Sequence, residues 1–413
     1  MYIAVMGYGT VGSGVVEVLH KNHDSIVSKS TQKDLELKYI LDLRDFPGDP
    51  NEDKFIKDFN IILNDDSVKI VVETMGGLHP AFEFVSSLLK AGKSVVTSNK
   101  ELVAQKGYEL LTLADENNVN FLFEASVGGG IPIIRPISQC LAANEIDEIA
   151  GILNGTTNFI LTMMIEQNMS FEEALKLAQD NGYAEKDPTA DVEGIDACRK
   201  ICILASLCFG KHVYPDSVHT EGISKITLED VAYVNDFGGV IKLLGKARRE
   251  NGGKISAMVC PCIVKNHSQL ASVSDVFNAI LVRGDAIGDV VFYGRGAGKL
   301  PTASAVVADV IDCAKHEKRK KLFGWGASEE NYVIDYRTLE TALYIRAKVT
   351  GSKDDVLKKI GESFGNVKYL TRKDAPADEI AFVTDKDIEK VLTDKLAKTE
   401  GIDVLSTIRV TDY

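Results

Sequence analysis

A chain of 413 residues, 45% apolar and 26% charged, has the length for roughly two to four domains and the composition of an ordinary globular protein. Its 47 lysines and arginines against 60 aspartates and glutamates leave a net charge of −13, which repels nucleic-acid phosphates and anionic membranes and argues against both as partners. The longest mostly apolar run, Ile201 to Phe209, falls far short of the roughly 20 residues of a membrane span.

No basic stretch followed by an apolar one opens the sequence, so no signal peptide is expected. The seven cysteines, an odd number lying in apolar segments such as Cys198, Cys202 and Cys208, read as reduced thiols packed in a core, and the expected compartment is the cytoplasm. Neither the Cys198/Cys202 turn nor Cys260-Pro261-Cys262 has zinc-ligand spacing.

From residue 1 to about 124, β-branched runs (YIAVM, LKYIL, KIVVET, SVVTS, VNFLF) alternate with helical patterns such as His79 to Lys90. This order predicts a doubly wound parallel sheet of the Rossmann type. The first run enters Gly7-Tyr8-Gly9-Thr10-Val11-Gly12, followed by apolar residues at helical spacing. Gly7 suits a tight turn, Gly9 a close approach to a pyrophosphate, and Gly12 close packing of helix on strand. After the second run stand Asp42, suited to a ribose 2′-hydroxyl, and Arg44, suited to a 2′-phosphate; solvated loop charges explain the pair equally well. The loops Glu73 to Gly77 and Thr97 to Lys100 should open at the carboxyl edge of the sheet, with Lys100 near a nicotinamide or simply in solvent.

Beyond Glu124-Ala125-Ser126-Val127-Gly128-Gly129-Gly130-Ile131 the alternation stops. Its glycine-exposed carbonyls beside a carboxylate suit a hard cation or a structural turn. From Ile149 the pattern is α+β: a strand, Asn154-Gly155-Thr156-Thr157-Asn158, several helices, then strand-like segments such as Lys254 to Val264. In the helix from Asp196 to Phe209 everything after Lys200 is apolar nearly all round, and Asp196 and Lys200 share a face at i, i+4. A lysine at the edge of a core is costly unless paired, so a polar cleft with a general acid/base lysine oriented by Asp196 is the economical reading. Glu185, Asp187 and Asp191 just upstream would attract a substrate ammonium, or form an acidic helix start.

Six segments in this order resemble homoserine dehydrogenase over residues 1 to 320: GYGTVG (7–12), TSNKELVAQKG (97–107), EASVGGGIPIIRP (124–136), GILNGTTNFIL (151–161), GYAEKDPTADVEGIDACRK (182–200) and GRGAGKLPTASAVVADVI (294–311). The resemblance implies Lys200 as proton donor and acceptor and Lys100 as a second catalytic lysine. It implies Glu185 and Asp191 at the substrate amino group, with Asp196, Tyr183, Gly155 and Thr156 lining the pocket. Implied NADP or NAD contacts are Gly7, Gly9, Thr10, Val11, Gly12, Arg44, Thr97, Lys100, Gly182 and Gly296. A structural monovalent cation, sodium or potassium, is implied at Glu124, Val127, Gly129 and Ile131. The implied reaction interconverts L-homoserine and L-aspartate 4-semialdehyde on the route to threonine, methionine and isoleucine.

Residues from about 341 to the end read as βαββαβ, which resembles an ACT domain, although Gly351-Ser352-Lys353-Asp354-Asp355 stands where such domains usually carry a glycine turn. That module implies threonine as an effector or a purely assembling role, and a homodimer or homotetramer. The expected domains are therefore 1–135 for the dinucleotide, 136–320 for substrate and dimerisation, and 341–413 for regulation. The alternative from another class is a non-catalytic sensor of a dinucleotide and an amino acid, which would need neither Lys100 nor Lys200.

Overall fold

The computed structural model describes residues 1–30, 34–317 and 321–413. The chain forms two units, each assembled from separated stretches. The first comprises Met1–Ile149, Cys202–Ser217 and Arg283–Glu330, and the second Ala150–Ile201, Val218–Val282 and Asn331–Tyr413.

The first unit is built on strands β1 (Tyr2–Met6), β2 (Glu36–Leu41), β3 (Phe55–Ile56), β4 (Val68–Glu73), β5 (Ser94–Thr97) and β6 (Phe121–Leu122). All pair in parallel, in the order β3-β2-β1-β4-β5-β6 of a dinucleotide-binding fold. Ile3, Val5, Ile40, Val72 and Val96 are wholly buried, as a parallel sheet covered on both faces requires. The helix Lys299–Lys315 packs against Thr10–Lys21, although its sequence position falls in the expected 136–320 span. Val15 and Val306 share one apolar cluster, and Gly14 allows the approach, since a Cβ there would lie 2.9 Å from the Lys299 carbonyl oxygen.

From Ile146 the strands continue as β7 (Ile146–Ile152), β8 (His219–Thr220), β9 (Gly239–Arg249), β10 (Ile255–Lys265), β11 (Phe277–Gly284) and β12 (Gly288–Arg295), the last belonging to the first unit. They end with β13 (Glu340–Val349), β14 (Val367–Leu370), β15 (Glu379–Thr384), β16 (Asp387–Ile388) and β17 (Ile402–Val410). In the second unit the order runs β11-β7-β9-β10-β17-β13-β15-β14, with β9 and β10 antiparallel from Gly239↔Lys265 to Arg249↔Ile255.

The C-terminal stretch has the βαββαβ order read from sequence, and its strand order β17-β13-β15-β14 is that of a ferredoxin-like module. Helices Lys353–Phe364 and Glu389–Lys398 lay Val356, Ile360, Phe364 and Leu392 on Leu343, Ile345 and Phe382 of its sheet. The module is joined to the rest of its unit: β17 pairs with β10 at Cys262↔Arg409 and Ile263↔Val410. Tyr344 Oη and Arg346 Nε donate to Asp230 Oδ1 at 3.1 and 2.9 Å, and Tyr233 Oη donates to Glu379 at 2.9 Å.

All seven cysteines are free thiols. Five are buried as expected, Cys208 is half-buried, and Cys140 departs from the expected core packing by standing exposed. It ends a short segment, Pro136–Cys140, that turns toward solvent.

Candidate active site

The first unit offers a site made largely of main chain. β1 runs into Gly7, whose φ of +92° is the left-handed conformation that favours glycine, and whose amide donates to the Leu41 carbonyl at 2.8 Å. Gly9 caps the helix Thr10–Lys21, so the first amides of that helix lie over the turn. A Cβ at Gly12 would fall 1.9 Å from the Gly7 carbonyl oxygen, whereas one at Gly9 would meet nothing within 4 Å. Gly12 therefore lets helix meet strand, and Gly9 leaves room beside the amides, the arrangement a pyrophosphate needs.

The turn borders a cleft of about 450 Å³ whose lining includes Gly7, Gly9, Asp42, Arg44, Lys57, Thr74 and Met75. Asp42 and Arg44 were opposed as alternatives for the ribose, but they bind each other. Arg44 Nε and Nη2 donate to the two Asp42 oxygens at 3.0 and 2.8 Å, and the Tyr8 amide donates to Asp42 at 2.7 Å. The Arg44 guanidinium and these amides hold the Asp42 carboxyl well below the usual carboxylate range. Lys57, which the sequence reading passed over, adds a second cation to the cleft wall.

At the carboxyl ends of β4 and β5, Glu73 is wholly buried and its carboxylate accepts from Thr97 Oγ1 at 2.6 Å and from the Met75 amide at 2.8 Å. Burial pushes its pKa up against those hydrogen bonds. Asn99 caps the helix Lys100–Glu116 by accepting from the Leu102 amide and donates to the Gly77 carbonyl at 2.7 Å. Lys100 is thus the first residue of a capped helix rather than part of a loop.

Glu124 has work that its sequence position did not disclose. Its carboxylate accepts from the amides of Ile133, Ile134 and Arg135 at 2.6, 2.9 and 2.8 Å, and its own amide donates to Asp309 at 2.8 Å. With the side chain committed to main-chain donors, a cation at Glu124, Val127, Gly129 and Ile131 would rely on main-chain carbonyls. Gly128 and Gly129 have φ of +73° and +55°, and a Cβ at Gly129 would come within 2.4 Å of the Gly296 carbonyl oxygen. Gly296, expected at the cofactor, therefore also packs this turn. Oxygen-only donors of this kind suit sodium or potassium.

In the second unit the site is made of side chains. The helix Ile195–Phe209 buries its apolar face, and Lys200 is only 8% exposed. Its Nζ donates to Asp196 Oδ2 at 2.6 Å and to the Leu153 carbonyl at 2.8 Å. Asn154, at the end of β7, caps the helix Gly155–Gln167 through Oδ1, and its Nδ2 donates to Asp191 at 2.7 Å and Asp196 at 2.9 Å. Thr156 Oγ1 donates to the Tyr183 carbonyl at 2.7 Å, while the Tyr183 ring stands edge-on to Phe159. Gly155 is packed so that a Cβ would lie 2.7 Å from the Val276 carbonyl oxygen. Glu185 is exposed, and Asp187 turns back to accept from Thr189. Gly182, with φ of +72°, ends the turn before them. A buried ammonium–carboxylate pair flanked by further carboxylates is equipped to move a proton beside a bound cation.

Residues 7–124 match the family model for the homoserine dehydrogenase NAD binding domain, and residues 132–311 that for homoserine dehydrogenase. Homoserine dehydrogenase of Pseudomonas aeruginosa is 38% identical over 98% of this chain and 96% of its own. The chain belongs to the homoserine dehydrogenase family. The crystal structure of a homoserine dehydrogenase from Thiobacillus denitrificans superposes with a TM-score of 0.89 at 34% identity, over 100% of this chain and 98% of that one. A hyperthermophilic archaeal homoserine dehydrogenase in complex with NADPH matches with a TM-score of 0.62 at 28% identity, covering 76% of this chain and 97% of its own. Membership makes the protein an oxidoreductase with a nicotinamide cofactor, rather than a non-catalytic sensor. Among the described residues no helix is long and apolar enough to cross a membrane.

Sequence reasoning singled out the segments that hold Asn154, Glu73 and Asn99 but gave none of the three side chains a role. Asn154 and Asn99 each precede a helix at a position where asparagine is favoured as a cap, and that was the available signal.

Proposed function

We propose that Lys200 moves the proton at the hydroxyl or carbonyl oxygen of the substrate while L-homoserine and L-aspartate 4-semialdehyde are interconverted. The observation that carries this reading is the buried Lys200 ammonium held at 2.6 Å from Asp196, in a helix that is nearly all apolar beyond it. Asp191 and Glu185 are the acceptors for the substrate ammonium, with Tyr183, Gly155 and Thr156 beside them, and Lys100 acts as a second lysine. NADP or NAD, when bound, supplies hydride exchange at the reacting carbon. The amides at Gly7, Gly9, Thr10, Val11 and Gly12 would hold its pyrophosphate, Arg44 a 2′-phosphate, and Thr97, Gly182 and Gly296 further parts. Main-chain carbonyls of Glu124, Val127, Gly129 and Ile131 would hold a structural sodium or potassium ion.

The protein works in the cytoplasm as a homodimer or homotetramer, and its C-terminal ACT-like module assembles the chains or binds threonine. The domain division 1–135, 136–320 and 341–413 belongs to this reading. Absorbance at the nicotinamide band, with homoserine and either NADP or NAD, tests the activity. Reduction that depends on homoserine and vanishes in Lys200→Met is expected, and reduction retained by that variant removes Lys200 from the role. Calorimetry and inhibition assays with millimolar threonine on the full chain test the effector. The whole chain is required because β17 is hydrogen-bonded into β10.

A further inference from the structure

Asn154 joins the two carboxylates of the proposed substrate site, and its geometry gives it more than a capping role. Its Oδ1 accepts from the Thr157 amide at 2.8 Å, which fixes the orientation of the side-chain amide, since the nitrogen end could not accept that hydrogen. Both Nδ2 hydrogens are then committed, one to Asp191 Oδ1 and the other to Asp196 Oδ2, at 2.7 and 2.9 Å. Asp196 Oδ2 also accepts from Lys200, and the neighbouring Leu153 carbonyl accepts from the same ammonium. Residues 153 and 154 therefore hold both members of the acid–base pair and tie it to Asp191. Asn154 is 5% exposed, so water does not readily replace its donors.

Two carboxylates that meet at one nitrogen repel each other, and a donor shared between them favours the ionised form of both, as the Lys200 ammonium does for Asp196. Charged groups on the neighbouring segments include Lys200 and Arg199 on the helix of Asp196, Glu193 two residues after Asp191, and Glu221, which pairs with His219 and Arg409. Glu221 lies on the segment whose Gly222 abuts Val192 and Glu193. Lys200 contacts Asp196 directly, whereas the donor that Asp196 and Asp191 share is Asn154.

We infer that Asn154 is a positioning residue that keeps Asp191 and Asp196 charged together, so that one receives the substrate ammonium while the other orients Lys200. The inference rests on the site assignment proposed above. Asn154→Asp separates this role from capping, because aspartate caps a helix about as well as asparagine but brings a third carboxylate and no N–H. Asn154→Ser retains a capping oxygen and a single hydroxyl donor and serves where the aspartate variant does not fold.

In Asn154→Asp, kcat/KM for homoserine should fall about 100-fold, the acid limb of its pH profile should move up by about one unit, and cofactor affinity should be unchanged. Asn154→Ser should show both effects at smaller size. An acid limb left in place in both variants, whatever the loss of rate, overturns the proposal. Lys200→Met run in parallel distinguishes the two failures. If it keeps turnover, the site assignment falls and this role with it; if it is inactive while the limb stays put in the Asn154 variants, the role of Asn154 alone falls.

Discussion

The two units make their sites from different material. The first uses main chain and empty space: a left-handed Gly7, an open position at Gly9, and helix Thr10–Lys21 seated on Gly12. The second uses side chains, with Asn154, Asp191, Asp196 and Lys200 linked by hydrogen bonds of 2.6 to 2.9 Å. A pyrophosphate carries its own charge and needs donors in a fixed array, which the backbone provides without titratable groups. Proton transfer needs a group that can gain and lose a proton, which the backbone lacks. The first site should therefore respond to changes of shape, and the second to changes of charge.

The largest expected effect lies in the second site. Lys200→Met should lower kcat by about 10² to 10⁴ while KM and cofactor affinity change little, because the lost function acts on the transition state. Steady-state kinetics beside a cofactor titration would measure this. A loss that appeared mainly in cofactor affinity would break the division between the units.

The first unit has a charge-sensitive group of its own that does not line the cleft beside Gly7 and Gly9. His212 is buried and accepts from Trp325 Nε1 at 3.0 Å, and burial lowers its pKa to about 4. Its folded pKa is below the unfolded value near 6.5, so the stability it contributes is present above about pH 6.5 and drains away as the pH falls toward 4. About 3 kcal/mol is at stake over that window. Urea unfolding from pH 7 to 4 should show the decline in the wild type and a flatter curve in His212→Gln, and parallel curves would assign the acid sensitivity elsewhere.

Glycine changes sharpen the contrast within one loop. Gly12→Ala places a Cβ against the Gly7 carbonyl and should cost about 1 to 3 kcal/mol of stability. Gly9→Ala meets no atom of the protein, so its melting temperature should match the wild type while cofactor affinity falls. Thermal melts with and without NADPH read both, and a destabilised Gly9→Ala would show that its open space has a structural purpose.

The smallest effect is expected at the cleft rim. Arg44→Ala should weaken NADP by about tenfold and NAD less, since the guanidinium removed would neutralise a 2′-phosphate. Because Asp42 loses its partner in the same variant, equal losses for the two cofactors would mean that the ion pair shapes the loop rather than reading the ribose.

What the sequence determined by itself is what is local along the chain. The glycine turn spans residues 7–12, and the i, i+4 spacing already puts Asp196 and Lys200 on one face, so backbone geometry alone delivers both. The alternating apolar runs likewise carried the parallel sheet and the C-terminal βαββαβ order, because strand and helix periods differ. Tertiary structure decided the rest. Asn154 reaches carboxylates 37 and 42 residues away, Glu124 turns onto amides nine to eleven residues on, and Lys299–Lys315 closes against a helix near the N-terminus. Periodicity tells which face of an element is buried but not which distant element will cover it. A polar side chain's role is set by whichever donor or acceptor that packing brings within about 3 Å.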